Sequence, residues 1–223
     1  MKIRFILSLL MLSSSIMASV DCNKLSLANV SSGYFTLVSY KGTKISIARG
    51  SIDQQKDIDC IVYALENLEE NCPAALDKDM FHKLDDILAF IPNKAYARKP
   101  NANTDYKKII EVMGPEQISA ECSLKGDDLD SYLIAYALTM AGNSLMRAVE
   151  ANNELPPCRS IAFSVNQFAQ ICRLDHSRIW CAILAVINEF FIDKYPGKLD
   201  EIRLVLNKDS YERLLLSLRS AAC

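Results

Sequence analysis

Eight cysteines, Cys22, Cys60, Cys72, Cys122, Cys158, Cys172, Cys181 and Cys223, all follow an N-terminal stretch built like an export signal. Met1, Lys2 and Arg4 form a short positive start, Phe5 to Leu12 an apolar run, and Ile16-Met17-Ala18 a small-residue exit before Ser19. This pattern predicts cleavage after residue 18 and delivery to the periplasm or the extracellular space. In that setting an even number of cysteines reads as a disulfide framework. Its connectivity stays open, because eight cysteines allow roughly a hundred pairings.

Removing the signal leaves 205 residues with 23 basic and 27 acidic side chains, a formal charge near −4. So mild an imbalance predicts no nucleic-acid or membrane-surface habit. Asp21 before Cys22 does not suit a bacterial lipid-attachment site. The longest later apolar run, Tyr132 to Ala141, is too short to span a bilayer, so no membrane span is expected in the mature chain. Half of the residues are apolar and only seven are glycine, a composition suited to packed helices supplemented by disulfides.

Along the chain, Tyr34 to Tyr40 and Thr43 to Arg49 alternate around Lys41-Gly42, the signature of a β-hairpin over 34–49. From Ser51 the apolar spacing turns helical, with Ile58, Ile61, Val62, Leu65 and Leu68 on one face as far as Asn71. On that helix Cys60 and Cys72 would lie roughly 18 Å apart, so they must turn to different partners. A second helix is expected over 78–91, then a loop over 93–103, short helices over 104–113 and 115–122, and a long one from Asp127 or Asp128 to Asn152. The middle of the long helix is apolar nearly all round. Further helices are expected from Ser160 to Cys172 and from about Asp175 to Ile192, and after the Pro196-Gly197 turn the C-terminal stretch carries Leu199, Ile202, Val205 and Leu206, then Leu214, Leu215 and Leu218. The sum is a mainly α fold: a disulfide-stapled helical bundle around a central helix at 128–152, with the small hairpin at its start, in a single domain over 19–223. The loop at 93–103 is the one alternative boundary.

Candidate chemistry is sparse. His82 sits on a polar face, and His176 stands near Cys172 and Cys181, but a catalytic thiolate needs a free thiol that a complete disulfide set would remove. No metal spacing is present, and Asp127-Asp128-Leu129-Asp130 is explained by a helix N-terminus. Glu66, Glu69, Glu70, Asp85 and Asp86 read as solvated faces. Nucleophile-elbow, Walker and dinucleotide motifs are absent, and no cofactor is expected.

The most suggestive cluster is Lys94, Tyr96, Arg98, Lys99, Tyr106, Lys107 and Lys108, cations interleaved with aromatics, suited to an anionic protein or glycan surface. Tyr34, Val38 and Tyr40 offer a strand edge, and Asn29-Val30-Ser31 is a glycosylation sequon. The expected function is therefore an exported, non-enzymatic binding protein. Two alternatives stand beside it: an exported hydrolase using paired carboxylates or His176 with Asp175, and a carrier holding a small apolar ligand around Tyr132 to Met146.

Overall fold

The computed structural model describes residues 33–73, 93–100, 104–192 and 194–221. The expected export signal, the Asn29 sequon, Cys22, Cys223 and the expected helix 78–91 with His82, Asp85 and Asp86 lie outside the described residues.

The chain runs through β1 (Tyr34–Tyr40), β2 (Thr43–Arg49), a 3-10 turn (Ile52–Gln54), β3 (Cys60–Leu65), β4 (Glu70–Asn71), β5 (Ala95–Arg98), β6 (Lys108–Met113) and β7 (Gln117–Ile118). There follow α1 (Asp127–Asn152), β8 (Ser160–Ser164), α2 (Val165–Cys172), α3 (His176–Ala185, continued by a π-helical stretch Val186–Ile192), β9 (Glu201–Leu206) and α4 (Lys208–Ala221). β1 and β2 form the antiparallel hairpin, with Lys41 and Gly42 at φ 48° and 83°, the left-handed pair that a tight two-residue link requires.

That hairpin is not an appendage on helices. β2 continues into a seven-stranded sheet in the order β1-β2-β9-β8-β3-β6-β5. The five inner strands are parallel and the two edges antiparallel. The mainly α, helical-bundle expectation is therefore corrected: the fold is mixed α/β around one central sheet. The segments read as helices at 51–71, 104–113 and 115–122 supply β3, β4, β6 and β7, and the helix expected from Ser160 begins as β8. The loop expected at 93–103 contains the edge strand β5.

The physical reason is burial on both faces. A parallel inner strand loses its polar–apolar alternation and reads as a short apolar run, which a helical stripe fits equally well. In β3 and β6 the β-branched Ile61, Val62, Ile109, Ile110 and Val112 favour the extended form.

The expected central helix is present as α1, but strands surround it as well as helices. Val62, Ile110, Val112, Ile161, Phe163, Ile202 and Leu204 share one core with Leu138, Met140 and Leu145 of α1 and with Ile179 and Ile183 of α3. Thr139 and Ser144 are fully buried on α1 because each hydroxyl donates to the carbonyl one turn back, Ala135 O at 3.0 Å and Met140 O at 2.8 Å. On the opposite face Ile61, Ile109, Ala162 and Val205 pack with Ile52, Ile58 and Tyr106. The link from β2 to β3 and the segment before β6 provide that cover.

A charged cluster lies on this second face, with Glu201, Arg203 and Ser46 buried and Lys44 reaching solvent. Glu201 accepts from Arg203 Nε at 2.8 Å, from Lys44 Nζ at 2.8 Å, from Tyr34 Oη at 3.1 Å and from Ser46 Oγ. Arg203 stacks over the Tyr34 ring at 4.9 Å and donates to Lys56 O at 2.8 Å. Burial works to raise the Glu201 pKa, yet the donors from Arg203, Lys44 and Ser46 outweigh it and hold the carboxyl below its ordinary value.

Because the folded value is lowered, the stabilisation from Glu201 is complete above about pH 4.3, its unfolded value, and disappears as pH falls through the folded value. Urea titrations of wild type and Glu201→Gln between pH 3 and 7 check this. The variant is expected to be less stable by about 3 kcal/mol at pH 7, and the difference is expected to shrink on acidification.

Candidate functional site

The five parallel strands end together at one side of the sheet. From β3 the chain proceeds to β6 on one flank and then returns to β8 and β9 on the other, so the order reverses between β3 and β8. In open α/β sheets a ligand crevice forms outside the strand carboxyl ends at such a reversal.

Ser164 closes β8 and caps α2, its hydroxyl accepting from Gln167 N at 3.2 Å. The Gln167 side chain grips β3 in both directions, donating to Ala64 O at 3.1 Å and accepting from Ala64 N at 3.4 Å. Asn166 Oδ1 accepts from Asn207 N at 3.4 Å, and Asn207 Oδ1 accepts from Ser210 N at 2.8 Å at the start of α4. Gly50 N donates to Leu206 O at 2.9 Å, joining the end of β2 to that of β9. Backbone amides at the starts of α2 and α4 and short polar side chains therefore gather at this end of the sheet, a surface suited to an anionic, hydrogen-bonding ligand.

On the other flank the strand ends are closely packed. Gly114 N donates to Leu65 O at 2.8 Å, and a Cβ on Gly114 would stand 2.2 Å from Ile171 Cγ2 and 3.0 Å from Leu65 O. β4 and β7 then pair outside the main sheet. No glycine occurs in 65–73 or in 164–170, so neither the segment after β3 nor that after β8 is a glycine-rich phosphate loop. Glu66, Glu69 and Glu70 are exposed at this end, and no acidic, histidine or cysteine cluster among the described residues could hold a metal ion.

The expected basic cluster is divided by the fold. Arg98, Lys99, Lys107 and Lys108 meet with Glu154 around a groove of about 420 Å³ at the amino ends of the strands. Three of these cations are matched: Arg98 to Glu111 at 2.6 Å, Lys107 to Asp59 at 2.6 Å, and buried Lys108 to Glu154 and to Ala151 O at 3.3 Å. Hydrogen bonds from Lys108 and Arg147 hold the Glu154 carboxyl below its ordinary value. Tyr106 leaves the group altogether, buried with its hydroxyl on the Ile52 and Asp53 carbonyls. Lys94 and Tyr96 are exposed at and beyond the start of β5.

Other sequence candidates are accounted for similarly. Asp130 pairs with Arg178 at 2.5 Å. His176 is exposed in the first turn of α3, and Asp175 caps that helix, accepting from Arg178 N at 3.0 Å. Mild burial acts to raise the Asp175 pKa, but Ser177 and Arg178 outweigh it and keep the carboxylate ionised, as a cap requires. Cys172 is fully buried against Met140, 3.5 Å between sulfurs, and burial pushes its thiol up to about 12. It has none of the thiolate character that nucleophilic chemistry with His176 needs. Cys60 and Cys158 are joined by a disulfide with Cα atoms 6.0 Å apart, linking the amino ends of β3 and β8.

Sequence reasoning missed Ser164, Asn166 and Gln167. The signal was available: Ser164-Val165-Asn166-Gln167 has the Ser-x-x-Gln spacing of a helix start, immediately after the strand-like Ile161-Ala162-Phe163.

No known family profile matches the chain, and no curated protein is similar to it in sequence. Solved structures do match. The macrodomain of Oceanobacillus iheyensis, determined with ADP, is similar over 84% of this chain and 96% of its own, with 14% identity and a TM-score of 0.54. The fold is macrodomain-like. The macro domain of ganglioside induced differentiation associated protein 2 (14% identity, 78% of this chain and 83% of that one, TM-score 0.49) and a Trypanosoma brucei macrodomain (15%, 78% and 66%, 0.44) also match, more distantly.

A macrodomain-like α/β fold overturns the functional expectation built on a helical scaffold. The partner-binding bundle has no counterpart. The carrier cavity is replaced by a core in which Tyr132 to Met140 are packed by strands and helices, and the His176–Asp175 hydrolase site is an exposed helix cap.

Two outcomes follow. Gly114→Ala is expected to lower stability by about 1–3 kcal/mol, and Ile171→Ala placed on top of it to recover part of that loss, read by urea unfolding. Iodoacetamide is expected to leave Cys172 unmodified in the native protein even at pH 9 and to label it once urea opens the core, read by peptide mapping.

Proposed function

We propose that this macrodomain-like protein binds ADP, or a larger nucleotide carrying the ADP unit, at the carboxyl ends of β2, β9, β8 and β3. The observation that carries the reading is the likeness to a macrodomain determined with ADP, which extends over 96% of that chain. The candidate site supports it chemically. Amides in the first turn of a helix attract anionic oxygens, and Ser164 and Asn166 supply short polar groups beside them. Lacking glycine in the segments after β3 and β8, the backbone approaches a diphosphate less closely than a glycine-rich loop does, so more of the contact falls to side chains. An oxidising compartment belongs to the same proposal, and the Cys60–Cys158 bridge supports it.

Isothermal titration of the full chain with ADP and with adenosine tests the reading. ADP is expected to bind, and adenosine about tenfold or more weakly. Asn166→Asp keeps the acceptor for Asn207 N and adds a negative charge that the start of α2 tolerates. It is expected to weaken ADP about tenfold, near 1.4 kcal/mol, while leaving Tm unchanged or slightly raised. Absence of both heat and a Tm rise at millimolar ADP would sink the proposal.

A further inference from the structure

The segments leaving β3 and β6 bring two cysteines together. β4 and β7 pair in parallel, Glu70 opposite Gln117 and Asn71 opposite Ile118, and Ser119 N donates to Asn71 O at 3.1 Å. Cys72 is the next residue on one segment. On the other, Cys122 N donates back to Ser119 O at 3.0 Å, a tight turn that returns Cys122 towards Cys72. The nearby Cys122 thiol raises the Cys72 pKa. Cys72 is exposed, whereas Cys122 is 3% exposed. One solvent-open sulfur beside one shielded sulfur suits thiol–disulfide exchange, which starts at the sulfur that an external reagent can reach.

We propose that Cys72 and Cys122 form an exchangeable disulfide that clamps the strand-end segments after β3 and β6. The oxidant is a small disulfide such as oxidised glutathione. Cys72 loses its proton and attacks one oxidant sulfur, forming a mixed disulfide and releasing one glutathione thiolate. Cys122 then loses its proton and attacks the Cys72 sulfur, which breaks the mixed disulfide and releases the second thiolate. The two released thiolates carry the electron pairs and take up the two protons. The buried Cys60–Cys158 bridge, with both residues at 0% exposure, is out of reach of the same reagent. The proposal stands apart from nucleotide binding and does not depend on it.

The test equilibrates the full chain in glutathione buffers of rising oxidised fraction, quenches with acid, alkylates and maps the peptides. A Cys72–Cys122 linked peptide is expected to appear and disappear reversibly while Cys60–Cys158 stays linked. The oxidised form is expected to melt roughly 5–10 °C higher. In Cys122→Ser, Cys72 is expected to accumulate instead as a mixed disulfide with glutathione. Linkage of Cys72 or Cys122 to any other cysteine, or alkylation of both at every redox ratio, overturns the proposal.

Discussion

A parallel sheet has to be covered on both faces, because each inner strand projects apolar side chains up and down alike. Here α1, α2 and α3 cover one face, and the link from β2 to β3 with the segment before β6 covers much of the other. That demand explains why α1 is apolar nearly all round: strands lie against one side of it and α3 against another. It also explains why Tyr106 is buried, since its ring helps to close the second face beside Ile52, Ile58 and Ile109.

The same parallel arrangement decides where function can lie. Strands that run one way gather their carboxyl ends, and with them the starts of the following helices, on one side of the molecule. Ser164, Asn166, Gln167 and Asn207 meet there although they come from different parts of the chain. The amino ends gather on the opposite side, where the Cys60–Cys158 bridge and the Asp59, Lys107 and Arg159 contacts tie the strands together. The basic groove at that end is lined by cations whose partners Glu111, Asp59 and Glu154 already answer most of their charge. Glu201 and Arg203 show a further cost of the layout: polar side chains on a covered face must form a closed set of partners.

Some elements were legible in the residues. The hairpin was visible in its alternation around Lys41-Gly42, α1 in the length of its apolar stretch, and α3 in the helix expected from Asp175. The inner strands were not. Ile58, Ile61, Val62 and Leu65 fall on a helical stripe as readily as Cys60-Ile61-Val62-Tyr63-Ala64-Leu65 forms a doubly buried strand, and one short window cannot separate the two. The candidate site was equally hidden, because its members are joined only by strand order: Gln167 meets Ala64 across 103 residues of sequence. The seven-residue basic cluster was legible as composition, but neighbours in sequence were divided between a core position, an edge strand and three ion pairs.

The sequence by itself determined what local interactions can determine: a tight left-handed turn, a long apolar helix, helix caps, and a set of cysteines able to pair. Tertiary structure decided the rest, namely that short apolar runs become parallel strands, that the hairpin becomes a sheet edge, and that Cys60 meets Cys158 while Cys72 lies beside Cys122. The reason is range. A turn or a cap is settled by atoms a few residues apart, whereas a strand buried on both faces is stable only once its neighbours and its cover are in place.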